Sequence, residues 1–139
     1  MRYVFDENLG APLCRGLAEI FRDRGDTYLH LNDDPRFPKG CPDPDWLRGL
    51  AADAIETTIV TCDGRIRTHP DNALAMNESG HTMVFFHRDW PRKPIDELAW
   101  RVVKAWPDVL AKVRGLREPA LIEVSVNGAV EVPGTRQRS

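Results

Sequence analysis

Acidic residues stand at both ends of apolar segments in this 139-residue chain, in positions where they could bind a metal ion. Asp6 and Glu7 follow the run RYVF, and Asp63 follows the run TTIVTC. Asp43 and Asp45 precede the amphipathic segment that leads into this second run. Carboxylates that lie close together repel one another unless a cation neutralises them. Because carboxylate and water oxygens suit Mg²⁺ or Mn²⁺, these acids form a candidate site for a divalent metal.

The elements that must position these acids are short strands that alternate with helices. Four apolar runs predict strands, over residues 2–5, 27–31, 57–62 and 82–86. The amphipathic segments between them predict a βαβαβαβ order, and therefore a single α/β domain whose mainly parallel sheet is covered by helices. With the strand order 2-1-3-4, Asp6 and Asp63 lie side by side at the edge of the sheet where ligands bind.

Helix capping and turn chemistry are the alternative explanation of the same acids. Asp45 before an apolar helix is a favourable N-cap, and Asp6 could cap the first helix. Asp63 before Gly64 also suits a turn. Capping does not explain why three acids meet at one edge of the sheet, so we favour the metal hypothesis.

The C-terminal part of the chain predicts a long helix followed by a hairpin. An apolar stripe over residues 95–113 is interrupted by Pro107, which predicts a kinked helix or two abutting helices. The Asn-Gly pair at 127–128 predicts a β-hairpin with a type I′ turn. We expect the domain to span residues 1–132 and residues 133–139 to be a disordered tail.

Composition and charge narrow the class of protein further. The chain is 42% hydrophobic with a formal net charge of −2, which excludes general electrostatic attraction to nucleic acid or membranes. It has no run of about 18 apolar residues and no signal-peptide pattern, so we expect a cytoplasmic protein without membrane contact. Its three cysteines and four histidines lack the spacing of zinc ligands.

Three segments of the sequence resemble the PIN-like nucleases. These are FDENL after the first strand, PDPDWL at the start of the middle helix, and IVTCDGRIR after the third strand. The resemblance covers residues 2–106 and includes the VapC-type toxins of bacterial toxin–antitoxin pairs. It implies a metal-dependent ribonuclease that holds Mg²⁺ or Mn²⁺, with Asp6, Asp45 and Asp63 as the catalytic ligands.

The chain departs from the family pattern at one position. PIN-like nucleases usually add a further acid from a helix, and the candidates here are Glu7 and Asp43, or Asp33 and Asp34 in the loop. None of them lies on a clear predicted helix, which leaves open the fourth ligand and the number of metal ions.

Basic residues near the strand ends indicate how RNA could bind. Arg65 and Arg67 follow Asp63, and Arg36 and Lys39 lie on the long loop before the middle helix. If these side chains surround the acidic pocket, they can hold RNA phosphates despite the net charge of −2. Solvated loop charges are the alternative for each of them.

Two further features predict contacts with partners. Trp90, within a basic loop, could stack on an RNA base. Part of the stripe at 95–113 could dock a partner helix or a second copy of the chain, forming a homodimer, although core packing is the alternative. The resemblance implies a cognate antitoxin, which would block the pocket most simply with an Arg side chain among the acids.

Two other functions fit the same pattern. A receiver-like signalling domain also has acids after its first and third strands, and Asp63 would then accept phosphate. That class needs a lysine after a fifth parallel strand, where this chain predicts a hairpin. A non-catalytic PIN-like module that binds RNA or protein would use many of the same side chains, and a cleavage assay with and without metal distinguishes it from a nuclease.

Overall fold

The computed structural model describes residues 1–133, which form an α/β fold of three layers. Residues 134–139 of the predicted disordered tail lie outside the described residues. The strands are β1 (Arg2–Phe5), β2 (Thr27–His30), β3 (Thr57–Thr61), β4 (Thr82–Phe86), β5 (Leu121–Val124) and β6 (Val130–Glu131). The helices are α1 (Ala11–Ile20), α2 (Asp43–Ala51), α3 (Arg65–Thr68), α4 (Pro70–Ser79) and α5 (Ile95–Gly115).

The sheet has the order β2-β1-β3-β4-β5-β6, with β6 antiparallel and the other strands parallel. This confirms the predicted α/β class, its mainly parallel sheet and the C-terminal strand pair. The first strand of that pair, β5, is also a fifth parallel strand. Phe5 of β1 pairs with Val60 of β3, so the next residues, Asp6 and Thr61, meet at the carboxyl edge of the sheet.

Each face of the sheet is covered by its own helices. Helices α1 and α5 pack on one face, and α2, α3 and α4 pack on the other. The strand residues alternate between these two cores: Tyr3 and Phe5 face α5, whereas Val4 faces α2. Both sides of β1 and β3 are therefore buried, including the three threonines of β3.

Helix α5 is one continuous helix of 21 residues, with Pro107 inside it. For most of the stripe the core-packing alternative describes the structure, because its inner side chains belong to the core. Those buried side chains are Leu98, Val102, Ala105, Trp106, Val109, Leu110 and Val113. Of the large apolar side chains within residues 95–113, Ile95 and Trp100 are exposed. Sequence periodicity shows which face of a helix is apolar, but the tertiary fold decides what covers that face.

Two local predictions differ from the structure. Helix α2 begins at Asp43 instead of Asp45, with Pro42 in extended backbone before it. The predicted type I′ turn is also wrong, because the N–H of Gly128 donates to the carbonyl of Ser125. Val126 and Asn127 are therefore the central residues, and of the turn residues only Gly128 has a positive φ, at 88°.

None of the helices within residues 1–133 is both long enough and apolar enough to cross a membrane.

Candidate active site at the carboxyl ends of β1 and β3

Asp6 is a buried carboxylate at the end of β1, with 5% of its surface exposed. Its oxygens accept hydrogen bonds from the Thr61 hydroxyl, at 3.0 Å, and from the backbone N–H of Glu7. Burial raises the pKa of Asp6 to about 6, and the negative charges of Asp43 and Asp63 add to the rise. Asp6 is therefore a desolvated acid in a negative environment, which a cation would relieve.

Thr61 connects the residues that follow β1 and β3. Besides donating to Asp6, its hydroxyl accepts a hydrogen bond from the backbone N–H of Asp63 at 3.0 Å. It also lies 3.2 Å from the side-chain oxygen of Asn8. Because a threonine hydroxyl carries one proton, it donates to Asp6 or to Asn8 but not to both at once.

Asp63 is paired with Arg65, two residues further along the chain. The guanidinium Nε lies 3.0 and 3.1 Å from the two Asp63 oxygens, and Nη2 lies 2.7 Å from Oδ2. The backbone N–H of Arg65 donates to the same carboxylate at 2.9 Å. These hydrogen bonds hold the pKa of Asp63 below its usual value, so this carboxylate is ionised.

Asp43, in the first turn of α2, is held by two neutral donors. The indole N–H of Trp46 donates to Oδ1 at 3.0 Å, and the side-chain amide of Asn72 donates to Oδ2 at 3.0 Å. Asp45 lies in the same turn but is exposed. It is near Cys41, where burial and the Asp45 charge raise the pKa of the thiol. Of the two acids, Asp43 is therefore the one whose charge acts on Asp6.

An open cleft of about 490 Å³ adjoins these acids. Glu7, Asp43, Arg65 and Asn72 are among its lining residues. Glu7 also accepts a hydrogen bond from the backbone N–H of Gly40 at 3.3 Å, which attaches the end of the long loop to the cleft wall. The cleft is thus bounded by residues from the loop, from α2 and from α3 and α4.

We refer to Asp6, Glu7, Asp43 and Asp63 as the acidic group. Its carboxylate oxygens are the donors that Mg²⁺ or Mn²⁺ prefers, and burial, together with the charges of Asp43 and Asp63, raises the pKa of Asp6. The chemistry of this donor set therefore fits a hard divalent cation. In the arrangement described, each acid faces its own hydrogen-bond donors, and within residues 1–133 no three acidic, histidine or cysteine side chains converge as a metal site.

Two of the predicted RNA-binding arginines lie away from the cleft lining. Arg67 pairs with Glu123 of β5 at 3.0 Å. Arg36 pairs with Asp53 at 2.8 Å, and Asp53 also pairs with Arg2 at the beginning of β1. Arg36 therefore lies near the opposite edge of the sheet, and the expectation that it borders the acidic pocket is wrong.

The other predicted RNA contacts have separate outcomes. Arg65 lines the cleft but is bound to Asp63. Lys39 is exposed next to Gly40, at the end of the loop that borders the cleft. Trp90 is buried, and its indole N–H donates to the carbonyl of Ser125 at 3.0 Å, so the expectation that it stacks on a base is wrong.

Sequence reasoning missed three residues that hold the acids in place: Thr61, Trp46 and Asn72. Thr61 had a usable signal, because it ends β3 beside Asp6 and stands two residues before Asp63. Trp46 follows Asp43 by three residues in a helix, the spacing at which side chains become neighbours. Nothing local marks Asn72, whose contact with Asp43 spans 29 positions and depends on how α4 packs against α2.

Comparison with known proteins gives the family. Residues 1–88 match a family model described as a PIN like domain, so this chain belongs to the PIN-like domain family. PIN-like domains are generally nucleases, which agrees with an acidic group at the carboxyl edge of a parallel sheet. Searches of curated proteins and of solved structures found no match, and the resemblance to VapC-type toxins stays a prediction.

Proposed function

We propose that this protein is an endoribonuclease that cleaves RNA phosphodiester bonds with the aid of Mg²⁺ or Mn²⁺. The observation that carries the proposal is the buried carboxylate of Asp6 at the carboxyl edge of the sheet, with Asp43 and Asp63 close enough for their charges to act on it, in a PIN-like domain. In this set Asp43 takes the role that the sequence pattern gave to Asp45. Glu7, on the adjoining cleft wall, is the candidate fourth ligand.

The residues around the acidic group have distinct roles in this proposal. When bound, a divalent metal supplies an activated water and stabilises developing negative charge. Thr61 fixes the carboxylate of Asp6, while Trp46 and Asn72 fix that of Asp43. The adjoining cleft is open to solvent, so an RNA strand can reach Glu7 and Asp43 on its wall, and in this proposal Lys39, next to Gly40 of the same wall, contacts phosphate.

A cleavage assay tests this function. A mixed pool of single-stranded RNA is incubated with Mn²⁺, with Mg²⁺ or with EDTA, using the parent, Asp6→Asn and the control Asp96→Asn on the exposed start of α5. We expect metal-dependent cleavage by the parent and the control, and a loss of at least about 100-fold in Asp6→Asn. Equal rates for Asp6→Asn and the parent would contradict the proposal. RNA binding without cleavage by the parent would indicate a non-catalytic module.

The receiver-like alternative is less well supported. β5 does provide a fifth parallel strand, but Ser125 and Val126 follow it where that class needs a lysine. Asp63, the residue that would accept phosphate, is bound to Arg65 through both oxygens.

We also propose, as the resemblance implies, that the protein is a cytoplasmic toxin restrained by an antitoxin. The Asp63–Arg65 pair supports this idea, since it demonstrates that a guanidinium fits onto one of the acids. Co-expression with the protein encoded next to it is expected to give a stable complex with suppressed cleavage. A chain that is harmless when expressed alone and forms no such complex would exclude the toxin role.

Sedimentation of the purified chain tests the predicted homodimer.

A further inference from the structure

Arg65 places a positive charge within the acidic group. Its side chain is 77% exposed, yet its guanidinium is held by three hydrogen bonds of 2.7 to 3.1 Å to Asp63. Asp43 and Asp6 also act electrostatically on Arg65, although neither contacts it. The guanidinium therefore lies in the combined field of the same three acids that the proposed function assigns to the metal.

Arg65 and a metal ion require the same atoms of Asp63. Only 12% of the Asp63 side chain is exposed, and both of its oxygens accept from Arg65. A metal that binds Asp63 must take at least one of these oxygens, so it competes with the guanidinium. Exposed ion pairs are weak because water and salt screen them, which makes this contact exchangeable.

We propose that Arg65 is the counter-cation of the metal-free site and that a divalent metal displaces it from Asp63. This inference rests on the proposed function. The released guanidinium turns toward the cleft that Arg65 already lines and binds an RNA phosphate there. The same planar fork that fits a carboxylate also fits a phosphate.

This exchange couples metal binding to RNA binding. Before metal binds, Arg65 is engaged with Asp63, and RNA loses one cationic contact. After metal binds, Arg65 is free to hold phosphate, so the metal strengthens RNA binding and RNA strengthens metal binding by the same factor. Without Arg65, metal binding and RNA binding are coupled more weakly.

Calorimetric titration with Mn²⁺ alone, without RNA, tests the competition directly. The variant is Arg65→Gln, and the matched control is Arg67→Gln, on the same short helix but paired with Glu123. We expect Arg65→Gln to bind Mn²⁺ about three- to tenfold more tightly than the parent, and Arg67→Gln to match the parent. Arg65→Lys, which keeps the charge without the fork, is expected to be intermediate and serves as the second variant if Arg65→Gln does not fold.

The outcomes separate this inference from the proposed function. If the parent and Arg65→Gln bind Mn²⁺ equally, or Arg67→Gln gains as much as Arg65→Gln, the displacement of Arg65 is wrong and the metal site stands. If neither the parent nor Arg65→Gln binds Mn²⁺, the proposed function fails with it.

A second measurement tests the coupling. Fluorescence anisotropy of a labelled ten-nucleotide RNA is recorded with and without Ca²⁺, and a gel confirms that the RNA stays intact. We expect Ca²⁺ to strengthen RNA binding by the parent and by Arg67→Gln, and to have a much smaller effect on Arg65→Gln. An equal effect on all three proteins would exclude the transfer of Arg65 to phosphate.

Discussion

The hydroxyl of Thr61 lies 3.0 Å from Oδ2 of Asp6, so one hydrogen bond joins the last residue of β3 to the residue that follows β1. The hydroxyl oxygen of Thr61 also accepts a hydrogen bond from the backbone N–H of Asp63. This single side chain therefore links the two acids that the sheet brings to its carboxyl edge.

Thr61→Val is expected to destabilise the protein by about 1–3 kcal/mol, because the substitution removes the hydrogen-bond partner of Oδ2 of the buried Asp6 and of the backbone N–H of Asp63. Thr61→Ser keeps the hydroxyl and is expected to recover most of this loss. Urea denaturation of the three proteins at pH 7 measures the difference. If the Ser and Val variants are equally destabilised, the methyl group and not the hydroxyl matters at this position.

Asp6→Asn is expected to stabilise the fold at neutral pH. The pKa of Asp6 in the folded protein is about 6, above the usual value for an unfolded chain, about 3.9. The folded state therefore holds the extra proton between these values, and the contribution of Asp6 to the free energy of unfolding falls as pH rises from about 4 to about 6. At pH 7 the ionised, buried carboxylate costs up to about 3 kcal/mol, which the amide avoids.

Urea denaturation of the parent and Asp6→Asn at pH 4, 5.5 and 7, in EDTA, tests this expectation. The advantage of the variant should be largest at pH 7 and nearly absent at pH 4. An advantage that does not change with pH would show that the carboxylate does not titrate in this range.

Asp43→Asn and Asp45→Asn form a matched pair, because both acids lie in the first turn of α2. In the RNA cleavage assay with Mn²⁺, we expect Asp43→Asn to lose at least about 100-fold and Asp45→Asn to stay within about threefold of the parent. The reason is that only Asp43 adds its charge to the field around Asp6. The reverse ranking would restore Asp45 as the ligand.

Gly49→Ala is expected to destabilise the long loop. A Cβ at Gly49 would lie 2.7 Å from ring atoms of Phe37, which is buried against α2. Overpacking of this kind costs about 1–3 kcal/mol, more than the gain in helix propensity from alanine. Combining Gly49→Ala with Phe37→Leu should relieve most of the loss, and a double-mutant cycle in urea measures the coupling. If the effects of the two substitutions on the free energy of unfolding are additive, a Cβ at Gly49 does not clash with the Phe37 ring.

The fold was more predictable from the sequence than the site. Short runs of β-branched and aromatic residues mark the strands, and the acids that follow β1 and β3 are adjacent because those strands pair. The choice between Asp43 and Asp45 could not be made from the sequence because it depends on where α2 begins. Each residue advances a helix by about 100°, so the side chains of Asp43 and Asp45, which are two positions apart, point to nearly opposite sides of α2.

The partners of the arginines could not be predicted for a different reason. Arg67 meets Glu123 across 56 positions, and Arg36 meets Asp53 across 17. No local pattern marks such pairs, since only the folded chain brings the charges together. A basic residue after a strand therefore indicates a possible phosphate contact. In the folded chain, however, that basic side chain can already form an ion pair with an acid from another element.

The hydrogen bond from the Trp46 indole to Asp43 gives the acidic group its own fluorophore. Trp46 is 1% exposed, and the other two buried indoles, of Trp90 and Trp106, donate to Ser125 and Tyr28, which lie outside the acidic group. Trp100 is 52% exposed and would dominate the solvent-sensitive emission. In a Trp100→Phe background, a cation that binds Asp43 changes the polarity around the buried indole of Trp46. The fluorescence emission spectrum then detects binding of the cation without an attached dye.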